Sequence, residues 1–218
     1  MIRNLKALGL ALVAAVALTA TMASAAHAEA QFTSEIELQQ TTLTAEQESV
    51  ATVKFVLAGQ ELVCQQVNFD GPLLPDQQAT LTPAHTTCKM YGVEAKVTGF
   101  AAGECDYLMY AAGGVDLKCA AGKDVKIDVS TCTITIKPQD NLMKTTYKQE
   151  AYKPKDDFTV TWNVTNLEYT YEGGMFCEMF SGVKVNTLFK DGKIIGAMTV
   201  IGEDIVNKKP VGIGWDAE

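Results

Sequence analysis

Beyond its first thirty residues, this chain places apolar side chains at every second position over most of its length. Ala51, Val53, Phe55 and Leu57 alternate with polar or smaller neighbours, as do Val93, Ala95 and Val97 against Glu94, Lys96 and Thr98. The pattern returns in CDYLMY, VDLKC, DVKIDV, CTITI, FTVTWNV, EYTY, VKVNTLF and KIIGAMTVI. Turn-prone pairs such as Gly113-Gly114, Gly173-Gly174 and Asp191-Gly192 separate them. Period two is the signature of a strand with one buried and one wet face. The segments imply about ten to fourteen strands. The best helical candidate, LTAEQESVATV, starts at a possible cap, Thr44, and runs into β-branched residues, so it offers one turn at most. The expectation is an all-β domain, an antiparallel β-sandwich or flattened barrel. A transmembrane barrel alternates too, but the cysteines and the lack of a terminal aromatic strand count against it.

Two places break parity. Apolar positions 125, 127 and 129 are odd while 132, 134 and 136 are even; 158, 160, 162 and 164 are even while 167, 169 and 171 are odd. Ser130-Thr131 and Thr165-Asn166 are therefore predicted β-bulges or bends, which let a strand turn a corner between sheets.

The six cysteines are Cys64, Cys88, Cys105, Cys119, Cys132 and Cys177, with gaps of 23, 16, 13, 12 and 44 residues. Zinc sites favour close pairs, usually with histidine, and redox sites favour C-x-x-C; neither spacing occurs. An even count in an exported chain predicts three disulfides that staple the fold. In ECDYLMYAAGGVDLKC, a three-residue loop with Gly113 left-handed sets Tyr107 opposite Leu117, Met109 opposite Val115 and Cys105 opposite Cys119. One face of the hairpin is then apolar, and Asp106, Asp116 and Lys118 share the other. Facing residues lie about 4.5 to 5.5 Å apart at Cα, within disulfide range. The next turn, AAGKD, is expected to bring Val125 back beside Cys119 and to carry Cys132 out of its reach. Elimination pairs Cys64 with Cys88 and Cys132 with Cys177.

Arg3 and Lys6 precede an apolar run, Ala7 to Leu18, followed by TATMASAAHAEA, which reads as a secretory signal peptide. The run is shorter than the roughly 20 residues a spanning helix needs. Cleavage fits after Ala25 or Ala28; the second gives a signal peptide over 1–28 and a mature all-β extracellular domain over 29–218, with a possible break into two sub-sheets near 138–157. No integral membrane segment is expected in the mature form. The localisation read from this is secreted, with periplasmic or wall-associated as the alternative. Loss of Arg3 and Lys6 leaves 16 basic against 26 acidic residues, a net charge of about −10. So acidic a surface, without a basic cluster, argues against nucleic acid as partner.

The segments VC at 63–64, GECDYLMY, LKCAAGKDVKID, STCTITIKPQ and FTVTWNVTNLEYTYEGGMFC resemble a group of uncharacterised secreted six-cysteine proteins of soil actinobacteria of the Solirubrobacter type. The chain is more acidic and richer in methionine than that group. The resemblance covers most of the mature chain and implies export and β structure. The group has no assigned activity or site residues, so no mechanism is implied.

Catalytic chemistry is thinly supplied. After signal removal a single histidine remains, His85, in TPAHTTC, where a plain loop residue is expected. No G-x-S-x-G elbow, H-E-x-x-H, P-loop or dinucleotide fingerprint occurs. No catalytic residue, metal ligand or cofactor is expected. Paired carboxylates such as Glu168 with Glu172 or Glu178 could serve a glycosidase, and Asp140, Asp156 and Asp157 could hold calcium, though the D-x-D-x-D-G spacing is missing. Tyr169 and Tyr171, two residues apart, and Trp215 are the candidate ligand-contact aromatics, while Trp162 is read as core. The functional expectation is a secreted non-catalytic β-sandwich module, structural or binding, with an unidentified cell-surface or extracellular ligand; edge strands would suit strand addition. A carbohydrate-binding protein is the alternative, and a carboxylate-based glycoside hydrolase the next.

Overall fold

Strands with one dry face must bury it against each other, and in this chain they do so by closing the sheet. The structure, a computed structural model, describes residues 30–143, 145–149 and 157–216. The strands are β1 (Gln31–Ser34), β2 (Thr41–Gln47), β3 (Lys54–Leu57), β4 (Gln60–Leu74), β5 (Gln78–Met90), β6 (Val93–Thr98), β7 (Cys105–Tyr110) and β8 (Gly114–Cys119). Then follow β9 (Val125–Val129), β10 (Cys132–Ile136), β11 (Gln139–Met143), β12 (Thr145–Lys148), β13 (Asp157–Gly173), β14 (Leu188–Asp204), β15 (Pro210–Val211) and β16 (Ile213–Asp216). One short helix, α1 (Met175–Ser181), joins β13 to β14. The all-β class holds. The strands among the described residues exceed the expected number because β2 and β3, and β11 and β12, are long strands interrupted.

The long strands carry the architecture. β13 pairs with β14, β14 with both β2 and β3, these with β4, and β4 with β5, all antiparallel. From β5 the ladder continues in two directions. Its C-terminal residues Cys88–Met90 pair with β6, and β9 and β10 then lead back to the C-terminal end of β13, closing a circuit of hydrogen bonds. Its N-terminal residues pair with β7, which leads through β8 to β11, while β12 pairs with the N-terminal half of β13. Only residue 144 separates β11 from β12 in sequence. The result is a flattened barrel with one continuous wall of long strands and two smaller groups of strands opposite it. Closure takes up strand edges, so the expected strand addition has little to work on along the main circuit.

The parity breaks resolve differently. At Thr165-Asn166 the β13–β14 register shifts between Val164 and Leu167, and Asn166 has φ +62, a left-handed position that asparagine tolerates. Ser130-Thr131 is no bulge. Val129 pairs with Cys132, so these two residues are the turn of a tight β9–β10 hairpin, and the parity changes because the chain reverses. The AAGKD segment is also corrected: β9 does not return beside β8 but pairs with β6 and β10, and β8 takes β11 as its second neighbour. The 43–53 stretch holds no helical turn at its start; Thr41–Gln47 is strand.

Three disulfides cross this frame: Cys64–Cys88 between β4 and β5, Cys105–Cys119 between β7 and β8, and Cys132–Cys177 from β10 to α1. Their Cα separations are 3.9, 4.0 and 5.0 Å. Cys105 faces Cys119, Tyr107 faces Leu117 and Met109 faces Val115. Residues 1–29, where the leader was read, and 150–156, within the suggested 138–157 break, lie outside the described residues. One core serves the barrel, and an aromatic file runs through it. Trp162 stacks on Phe69 at 5.6 Å and meets the edge of Tyr107 at 5.3 Å; Tyr107 leads to Phe100, His85 and Phe55. Such pairs contribute about 0.5–1.5 kcal/mol each beyond their area.

Candidate functional site

Of the three aromatic residues read as possible ligand contacts, two are buried and Trp215 is half-buried. Tyr169 and Tyr171 are buried, because the shift at Asn166 turns odd residues of β13 inward, and both rings pack on Phe189 at 5.3 and 5.9 Å. Tyr169 Oη accepts from the Ala58 amide at 2.5 Å and donates to Asp191 at 2.7 Å, and Tyr171 Oη lies 3.1 Å from Tyr91 Oη. Burial raises the pKa of both phenols. Neither ring offers a stacking face. Trp215 is half-buried, tilted on Tyr147 at 5.4 Å, with its indole N–H donating to the Ala111 carbonyl at 2.8 Å; it ties β16 to the β7–β8 turn.

His85 is not in a loop. It lies in β5, half-buried between Phe55 and Phe100 at 6.0 and 5.4 Å. Burial lowers its pKa from 6.5 to about 4. The unfolded chain therefore takes up a proton as pH falls through 6.5 that the folded chain refuses until about 4. The stability conferred by the neutral ring is complete above pH 6.5 and is lost as pH falls to 4. The urea midpoint should decline over that window by the equivalent of about 1–3 kcal/mol, allowing for partial solvent access. His85→Phe should flatten the decline; an unchanged profile in that variant would show that other groups cause it.

Of the acids read as a possible glycosidase pair, Glu168 is paired with Lys190 at 2.6 Å and Glu178 accepts the Val185 amide at 3.2 Å. Of those read for calcium, Asp140 is paired with Lys118 at 2.5 Å, and Asp156 lies outside the described residues. Among the described residues no group of three His, Cys, Asp or Glu side chains is placed to hold a metal ion. No helix among them is long and apolar enough to cross a membrane.

What the molecule offers instead lies on the outside of the barrel. The space among the inner side chains Phe32, Leu43, Met109 and Phe158 amounts to about 10 Å³, no more than a single water would take. On the outer face of β14, β2 and β4, a groove of about 460 Å³ is lined by Thr44, Glu46, Asn68, Asp70, Thr199 and Ile201. The ladders bring these together: Thr199 faces Glu46, Ile201 faces Thr44, Thr44 faces Asp70 and Glu46 faces Asn68. Neither carboxylate has an ion-pair partner among the described residues, and Asn68 Oδ1 is buried without a hydrogen bond. The lining is rich in acceptors, so it suits a donor-rich ligand such as a polyol.

A second cleft, of about 400 Å³, opens where β10 and β13 meet and is lined among others by Thr135, Lys137, Glu168, Thr170 and Leu188. Thr135 is 3% exposed and its Oγ1 has no hydrogen-bond partner. A buried hydroxyl left so costs about 1–3 kcal/mol. Neither groove is legible in the sequence, since each is assembled from strands far apart in the chain. A third surface is apolar: Met175, Phe176 and Met179 of α1, clamped beneath by Cys177, are 73, 73 and 74% exposed.

Together these features define a disulfide-stapled, closed all-β barrel with an apolar core and open external grooves. No family model matches the chain, and no curated protein and no solved structure matches it.

Proposed function

We propose that this protein is a secreted, non-catalytic module that binds a cell-surface or extracellular ligand on the outside of its barrel. The observation that carries this reading is the pair of external grooves, each lined by polar and apolar side chains together, so that a bound molecule meets the outer face of the barrel. Three disulfides support an oxidising compartment, and the extracellular space or the periplasm would supply one. On the segments quoted above, the reading also groups the chain with the secreted six-cysteine proteins of soil actinobacteria.

Carbohydrate is the ligand class that the groove chemistry favours. Threonine hydroxyls and two carboxylates accept from sugar hydroxyls, and Ile201, 48% exposed, offers an apolar patch to a ring's C–H face. Incubation of the exported protein with immobilised polysaccharides tests this. Retention on at least one of them, without release of soluble sugar, is the expected result. Release of reducing ends would replace the reading by a glycoside hydrolase, and absence of retention on every polysaccharide would remove the carbohydrate reading.

A further inference from the structure

The cleft between β10 and β13 has a chemistry distinct from the acidic groove. Thr135 stands between Ile134 and Ile136, both buried in the core, and faces Thr170 across the ladder, whose neighbours Tyr169 and Tyr171 are also inward. Alternation therefore puts the Thr135 and Thr170 side chains on the outer face. A threonine there normally reaches bulk water. Thr135 does not, being 3% exposed; nearby, the Gln139 side-chain amide donates to the Glu168 carbonyl and accepts from the Glu168 amide, both at 2.7 Å, which holds Gln139 against β13. A buried hydroxyl is left in the cleft lining with no partner in the protein.

The charges around it are unequal. Glu168 is neutralised by Lys190 at 2.6 Å, whereas Lys137 lines the cleft with no carboxylate paired to it among the described residues. One uncompensated ammonium therefore stands here on a chain of net charge −8. Pro138 and Leu188, the latter 52% exposed, supply apolar walls. A ligand that fits must carry an anionic oxygen, several hydroxyls and an apolar ring face within a volume of about 400 Å³. We infer that this cleft binds an acidic sugar, with its carboxylate at Lys137, its ring hydroxyls at Thr135 and Thr170, and its C–H face against Pro138 and Leu188. The inference rests on the carbohydrate reading and adds a second subsite to it.

The test is calorimetric titration of the exported chain with a galacturonate oligomer, a neutral galactose oligomer of equal length, and sodium sulfate. The galacturonate oligomer should bind at least tenfold more tightly than the neutral one, and added salt should weaken it. Thr135→Val keeps the shape and removes the unpaired oxygen, so the protein should stay folded while affinity falls about tenfold. Lys137→Gln should abolish the preference for the acidic oligomer, and Glu46→Gln with Asp70→Asn should leave it intact. Equal affinity for both oligomers, or loss of neither affinity nor preference in the two cleft variants, would overturn the acidic-sugar site while leaving a binding module standing. Sulfate competing as well as the oligomer would reduce the cleft to a simple anion site, and no binding of any sugar would end both readings.

Discussion

Reduction of the three disulfides is expected to unfold this protein at temperatures where the oxidised form is stable. The bridges close loops of 24, 14 and 45 residues. In the chain-entropy model they stabilise by about 3, 3 and 4 kcal/mol respectively. The total is comparable with the whole stability of a typical domain, about 5–15 kcal/mol. For a chain of this size each kcal/mol moves the midpoint by about 2–4 °C, so melting in a thiol reductant should occur some 20–40 °C lower. Circular dichroism melts with and without reductant check this. The effect should be graded: Cys132→Ala with Cys177→Ala should cost most and Cys105→Ala with Cys119→Ala least. Five of the six cysteines are buried and only Cys119 is half-buried, so the Cys105–Cys119 bridge should be reduced first in the native state. An unchanged melting curve, with all six thiols shown to be free, would refute the account.

Those bridges show what the sequence could carry. Period-two alternation identified the strands because each has one dry face, and the β7–β8 register followed from the requirement that Tyr107, Met109, Leu117 and Val115 share that face. That argument is local. The partner of β9 was not local, and the supposed return to β8 was wrong because a turn such as AAGKD fixes neither the direction nor the neighbour of the strand that follows it. Parity alone could not distinguish a bulge from a tight turn, so Ser130-Thr131 and Thr165-Asn166 looked alike although one reverses the chain and the other bends it. The external grooves were illegible for a stronger reason. Glu46, Asp70 and Thr199, or Thr135, Lys137 and Thr170, meet only after the barrel closes, and each residue taken singly is an ordinary polar position on a wet face.

Closure depends on a place where no side chain fits, and a single methyl group there should be among the most damaging small substitutions in the molecule. β14 runs unbroken over 17 residues, but β2 and β3 share its far edge with an interruption over 48–53. That interruption is bonded to β14: the Glu48 amide donates to the Ala197 carbonyl at 2.9 Å, and the Ala197 amide donates to the Ala51 carbonyl at 2.6 Å. The backbone comes so close that a Cβ on Gly196 would lie 2.6 Å from Thr52 O, 2.6 Å from Val53 Cα and 2.7 Å from Val53 N. Gly196 also has φ +141, which L residues rarely adopt. In Gly196→Ala the 48–53 segment must lift away, losing both hydrogen bonds and the seat of Val53 in the core, at a cost of about 3–5 kcal/mol. A fall of about 10 °C or more in the midpoint is the expected reading. Gly174→Ala is the matched control, because nothing lies within 4 Å of the added methyl and φ is −91, so its urea curve should shift by no more than about 1 kcal/mol, the difference between glycine and alanine as a helix cap. Equal curves for the two variants would mean that the crossing at Gly196 yields readily and that the barrel is held closed elsewhere.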